Sequence, residues 1–303
     1  MKKGILLAAV AVMGFAGVVQ ADDVVNLANY KAADAYIKKE KVTITVTVEQ
    51  AFKQDAILVV GEGVPKKGTS GGQKRLTAIT AAKVKAQRAL AELLSGVAVV
   101  SETTVKDSEL ESDVIKTAVR GFIRGAQVVV QDYNAEEESA VVILKVGMSG
   151  PKSFGATMYE KLLSEPKIKK EIEKPAFVPP ANVPAPPPAA QAYDGLIIDA
   201  TAQSFRPALI NRIFNPNGEV LYDPAKISQK VLVEQGCGEY TNSVDKAKAA
   251  LRKRGVNNPL VVTASGTVSP SDLQVSNDVA LQIFSANQAS GFMADARVAF
   301  VLK

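Results

Sequence analysis

The chain has 303 residues, room for about two domains at ~100–200 residues each, with 47% hydrophobic and 22% charged residues and a formal charge of +5. It contains no histidine and a single cysteine, Cys237. That excludes Ser-His-Asp and Cys-His catalysis, histidine-ligated zinc or haem, a cysteine-rich metal site and an intramolecular disulfide, and the modest, unclustered charge argues against a nucleic-acid partner.

The chain opens as a secretory signal: Lys2 and Lys3, an apolar run from Ile5 to Val19, then Val19 and Ala21 at the −3 and −1 positions. The run is short of the ~20 residues a spanning helix needs, so residues 1–21 read as a cleaved signal peptide and not a retained anchor. No later segment is long and apolar enough to cross a membrane. The predicted mature start is Asp22. A lipoprotein would carry cysteine there, so direct lipidation is not expected, and only peripheral membrane association stays open.

Residues 24–39 can form a helix, followed by the alternating run Val42–Val48, which has the period of a half-buried strand. A second strand is predicted at Ala56–Gly61 and an amphipathic helix at about 75–94, with Ile79, Ala82, Ala86, Leu90 and Leu93 on one stripe. Val97–Thr104 reads as a strand. Ser108-Glu109-Leu110-Glu111 has capping-box spacing and predicts a helix with Leu110, Val114, Ala118 and Phe122 inward and Gly125 at its end. Ala126–Asp132 and Ala140–Met148, joined by the turn 134–139, predict an antiparallel hairpin. Ser153–Ile172 reads as a polar connecting helix.

Residues 175–188 hold seven of the 15 prolines. Such a stretch favours extended polyproline II and could reach ~55 Å from Pro175 to Ala192 at ~3.1 Å per residue, a semi-rigid spacer; a proline-recognition ligand is the sharper alternative. Beyond it, strands are predicted at Leu196–Ala200, Pro207–Phe214, Glu219–Tyr222, Leu260–Ser265 and Arg297–Leu302. Helices are predicted at Ser243–Arg254 and, capped by Ser276, to about Gln288 with Val279, Ile283 and Phe284 inward. The fold class expected is α+β: two small modules, each with helices on a mainly antiparallel sheet, at 22–150 and 193–303, joined by 151–192 as polar helix and Pro-rich linker.

Four features invite a functional reading. Gly61–Lys74 has the glycine spacing of a phosphate loop at Gly63 and Gly68, but Thr69 stands where that loop needs lysine, so a flexible loop is preferred to an anion cradle. Cys237, in Gly236-Cys237-Gly238, lacks neighbouring cations in sequence and reads as a buried, inert thiol. Glu136–Glu138 lacks the alternating oxygen ligands of a calcium loop and reads as a solvated turn. Tyr193-Asp194-Gly195 and Asp199 could line a pocket or serve as turn residues. No catalytic, cofactor-binding or metal residue is therefore assigned, and no cofactor is expected.

Ala82–Gly96, Arg120–Gly125 and Ala140–Met148 resemble a family of bacterial envelope lipoproteins that includes the flagellar basal-disk protein FlgP and is similar to the N-terminal module of the flagellar ring protein FlgT. Leu196–Ala200, Pro207–Leu209, Gly218–Tyr222 and Arg254-Gly255 look like a domain that accompanies such modules. The resemblance implies a Gram-negative envelope, α+β modules and homo-oligomeric rings or discs. It brings no catalytic residues. The resulting expectation is a non-catalytic periplasmic assembly or scaffold protein, outer-membrane- or flagellum-associated, whose partners are further copies of itself and other envelope proteins. The alternatives are a periplasmic module binding peptidoglycan, an anion or a small metabolite, and, third, an enzyme working with carboxylates alone.

Overall fold

The computed structural model describes residues 25–181 and 192–303. The predicted signal peptide, the predicted start at Asp22 and the prolines at 184 and 186–188 lie outside the described residues. Among the described residues no helix is long and apolar enough to cross a membrane.

The first module contains α1 (Lys31–Glu40), α2 (Val48–Gln54), β1 (Ala56–Gly63), α3 (Gly72–Ser95), the short pair β2 (Ala98–Val100) and β3 (Thr103–Thr104), α4 (Val105–Glu111), α5 (Asp113–Arg124), β4 (Gln127–Asn134) and β5 (Ser139–Gly147). Its sheet is antiparallel in the order β1-β5-β4. β5 is buried along most of its length because both its faces are covered. Val142 and Leu144 face the α3 side, while Val141 and Ile143 pack with Tyr30 and Ala33 of the α1 side.

The α3–β1 contact is set by small residues. Ala78, Ala82 and Ala86 are fully buried, and a Cβ added at Gly61 would lie 2.2 Å from the Ala82 carbonyl oxygen. One added at Gly63 would lie 2.4 Å from the Ala78 oxygen. Helix and strand backbones therefore approach closer than side chains allow elsewhere.

Two predictions fail locally. Residues 42–46 form no strand. The run meets β1 through Thr45 alone, whose N–H donates to the Leu58 oxygen at 2.8 Å, and Thr47 then caps α2 through its hydroxyl. The capping box forms one turn earlier than expected, between Thr104 and Asp107. Ser112 then breaks the helix and caps α5, shifting its phase, so Ile115 and Val119 point inward while Leu110 and Val114 stay 80% and 60% exposed.

The connecting segment is two helices, α6 (Phe154–Ser164) and α7 (Pro166–Ile172). Pro166 lacks the N–H that would continue α6 and suits the first turn of α7. This segment is not simply polar: Phe154, Met158, Leu162, Ile168 and Ile172 are buried. The proline-rich stretch begins docked, with Phe177 buried and Ala176 bridging Val220.

The second module contains β6 (Gly195–Asp199), β7 (Arg212–Phe214), β8 (Val220–Tyr222), α8 (Gln229–Gln235), β9 (Glu239–Thr241), α9 (Val244–Lys253), β10 (Pro259–Thr263), β11 (Gly266–Ser269), β12 (Asp272–Gln274), α10 (Asn277–Ser290) and β13 (Val298–Val301). The α+β class holds, but the principal sheet here is parallel, in the order β10-β6-β13-β9, where an antiparallel one was expected. Leu196, Ile197 and Ile198 are all fully buried, the continuous apolar run of a strand covered on both faces. A mixed sheet, β11-β12-β7-β8, lies beside it.

The modules are not beads on a string. One contiguous apolar cluster runs from Ala51, Leu90 and Val142 through Phe154 and Ile168 to Leu209, Ile213 and Phe300. Backbone bonds cross the boundary too: Leu209 N–H donates to the Ala98 oxygen at 2.9 Å and Ile210 N–H to the Val99 oxygen at 2.8 Å.

Candidate functional site

The seam between the modules brings together a cluster of polar and ionisable groups. The end of α2 and the residues after β5 bring Phe52, Asp55, Met148 and Ser149. The loop before β9 brings Gln235 to Tyr240, α6 brings Tyr159, and the end of α9 brings Arg254. Gly236 and Gly238 take φ of +68° and +156°, and a Cβ at Gly238 would lie 2.9 Å from the Phe300 ring. Gly236-Cys237-Gly238 is thus a backbone requirement that threads a tight loop past β13.

Cys237 is 2% exposed, and burial pushes its thiol up, away from the reactive thiolate. Its Sγ lies 3.0 Å from Tyr240 Oη, and its carbonyl accepts the Tyr222 hydroxyl at 2.6 Å. Tyr240 donates to Asn211 Oδ1 at 2.5 Å. Burial also raises Tyr159, Tyr222 and Tyr240 well above the ordinary phenol value. Arg254 spends its guanidinium on Glu239 Oε1 at 2.8 Å, the Ala296 oxygen at 2.8 Å and the Gln235 oxygen at 2.7 Å. At the rim, Asp55 accepts from Ser149 N–H at 3.0 Å and Oγ at 2.6 Å; loss of solvent raises its carboxyl, and those two bonds pull it back. Gln235 Oε1 is buried with no partner among the described residues. The cavity these groups enclose is about 40 Å³. That is room for about three waters at ~10–15 Å³ each, against the ~300–1,000 Å³ of a metabolite cleft.

A second polar centre joins three parts of the chain. Arg212 and Asp272 are 2% and 1% exposed. Arg212 Nε donates to Asp272 Oδ1 at 2.9 Å and Nη2 to Oδ2 at 2.7 Å, a bidentate pair. Nη2 also reaches Ser101 Oγ of the first module at 2.7 Å, and Nη1 reaches the Glu171 oxygen of α7 at 2.9 Å. A shallower groove of about 520 Å³ lies between α7 and the turn after β8, where Lys169, Lys174 and Lys226 surround Ile172 and Asp223.

The residues singled out from sequence do not converge. Gly61 and Gly63 serve the α3–β1 contact. Gly68 and Gly71, at φ of +80° and +52°, turn an open loop. Glu138 pairs with Lys74, and Glu137 accepts from Asn29 Nδ2 at 2.8 Å, so the acidic turn ties strands to helices. No group of three or more acidic or cysteine side chains positioned for a metal occurs among the described residues. Asp194 accepts from the N–H groups of Asn257 and Asn258, both at 2.8 Å, and Asp199 from Thr201 N–H and Oγ1. These two carboxylates sit at opposite ends of β6 as turn locks. Sequence reasoning missed Arg212 and Asp272. The signal was present: an arginine inside Pro207-Ala208-Leu209-Ile210-Asn211-Arg212-Ile213-Phe214 has to be buried, and a buried guanidinium needs a carboxylate.

The first strand of the parallel sheet, β6, begins at Gly195. Residues 195–303 match the family described as Treponema pallidum Tp0624, second domain. That likeness covers about a third of the chain, starts at the first residue of β6 and coincides with the second module. No curated protein matches the chain.

Proposed function

We propose that this protein is a non-catalytic component of a bacterial cell envelope, exported to the periplasm and working by assembly with further copies of itself and with other envelope proteins. A flagellum-associated structure is the specific form suggested by the resemblance of Ala78–Met148 to the basal-disk family. The observation that carries the reading is the state of the seam. Apart from Gln235 Oε1, its ionisable and hydrogen-bonding groups are spent on one another and on backbone oxygens around a cavity of about 40 Å³, which suits a rigid joint better than a substrate site. Such a joint fixes two modules as one body, as an assembly unit requires.

Two measurements test it. Intact mass of the exported protein should start at Asp22 without acyl groups; a retained signal or a lipid adduct would overturn the localisation. Light scattering of the mature protein should give a defined oligomer at micromolar concentration without cofactor and irrespective of reductant. A strict monomer at hundreds of micromolar would defeat assembly. In that case the groove bearing Lys169, Lys174 and Lys226 favours the second reading, an anion-binding module, testable by titration with inorganic phosphate.

A further inference from the structure

We propose that β10 is the edge through which two copies of this chain join, as an antiparallel strand pair centred on Val261; this deepens the assembly reading and rests on it. The other strand edges are occupied or blunted. β9 is covered by α2, with the Phe52 and Tyr240 ring centroids 5.1 Å apart. β8 is covered by the start of the proline-rich stretch, where Val220 N–H donates to the Pro175 oxygen at 2.8 Å and Phe177 N–H to the Val220 oxygen at 3.0 Å. β1 meets Thr45 at Leu58, and β4 and β11 each carry a register irregularity, between Val128 and Val130 and between Thr267 and Ser269. Bulges of that kind turn an edge away from further pairing.

Among the described residues β10 is neither covered nor bulged. Its register against β6 is unbroken from Pro259 to Thr263, and Pro259-Leu260-Val261-Val262-Thr263 carries no charge. The ladder parity says which groups point outward. Ala264 N–H donates to the Asp199 oxygen and the Asn258 oxygen accepts from Asp194, so even-numbered positions bond to β6. The N–H and C=O of Val261 and Thr263, with the C=O of Pro259, therefore face away from the sheet. Leu260 and Val262 bury their side chains in the core, whereas Val261 is 43% exposed.

This edge is complementary to itself. Across a two-fold axis at Val261, the two Val261 residues exchange both backbone bonds, and each Thr263 N–H meets the opposing Pro259 carbonyl. That gives about four bonds in a hydrogen-bonded antiparallel register. The missing N–H of Pro259 limits how far pairing runs on either side and so fixes the register. The two Val261 side chains come directly opposite each other on one face, across the two-fold axis.

The test is sedimentation velocity of the full mature chain as wild type, Val261→Lys, Val261→Glu and a 1:1 mixture of the two variants. The expected result is a wild-type dimer at micromolar concentration, at least a tenfold weaker association for each variant alone, and recovery in the mixture, where opposite charges face each other. Circular dichroism confirms folding of each variant. Thr263→Pro, which removes an outward N–H and leaves Val261 in place, should also weaken the dimer. Wild-type association unchanged in all three variants overturns the β10 joint and leaves assembly standing. A wild-type monomer at hundreds of micromolar overturns both.

Discussion

Replacing Arg212 with methionine should be among the costliest single changes in this molecule. Arg212 and Asp272 are 2% and 1% exposed, so the pair is out of water. Removing one member of a buried ion pair costs ~3–5 kcal/mol, chiefly by stranding the other charge. Two lost bonds, to Ser101 Oγ and the Glu171 oxygen, add ~0.5–1.5 kcal/mol each. Asp272 Oδ2 keeps hydroxyl donors from Ser101 at 2.9 Å and Ser269 at 2.8 Å, while Oδ1 loses its guanidinium partner, which holds the total near ~4 kcal/mol. Against a typical total stability of ~5–15 kcal/mol, that is a large fraction. The double change Arg212→Met with Asp272→Leu should recover much of the loss, since apolar replacement of a whole buried pair is often neutral. Urea unfolding followed by far-ultraviolet circular dichroism measures all three variants. A loss under ~1 kcal/mol for Arg212→Met, or a double variant weaker than the single by the full Asp272 cost, would refute the account of a dry, bidentate joint.

Gly61→Ala should destabilise by ~1–3 kcal/mol because its Cβ would strike the Ala82 carbonyl, whereas Gly72→Ala, with open space around it, should be neutral or stabilising by up to ~1 kcal/mol. Thermal melts compare the two, and equal effects would contradict the close α3–β1 approach. Cys237 should be silent to a thiol-colour reagent in the native protein and react fully in urea; a fast native reaction would mean the seam opens. Burial raises Tyr159, Tyr222 and Tyr240, so the folded state holds protons that the unfolded chain releases near ~10. Their contribution is complete below that value and is lost as pH rises above it. Ultraviolet titration should therefore show these phenols ionising only together with unfolding, and smooth ionisation while the protein stays folded would contradict their burial.

Elements with strong local period could be read directly. The hairpin of β4 and β5, the long α3 and the Ser276 cap of α10, whose side chain accepts from Val279 N–H, all depend on residues close in sequence. What escaped depended on distant partners. The alternating run at Val42–Val48 has strand composition but bonds to β1 only through Thr45, whose N–H donates to the Leu58 oxygen and whose Oγ1 accepts from the Leu58 N–H, and a strand exists only when paired along its length. Ser112 was invisible as a helix break because its capping bond competes with continuation of the same helix. The parallel order of β10, β6, β13 and β9 is a property of crossovers, which short apolar runs do not encode. The seam was illegible for the same reason. Asp55, Tyr159, Cys237 and Arg254 are ordinary in their own neighbourhoods and become a cluster only when α2, α6, β9 and α9 meet.

The docking of Phe177 on Val220 changes what the proline-rich stretch is for. At its far end Ala192 accepts a bond from Asn258 Nδ2 at 3.3 Å, so both ends are tied to the same second module. A tether fastened at both ends to one body closes a circle and sets no spacing between bodies. Both fastenings, Phe177 on Val220 and Ala192 on Asn258, therefore serve the second module itself, so loosening either should lower that module's stability and leave the Arg212–Asp272 joint between the modules in place.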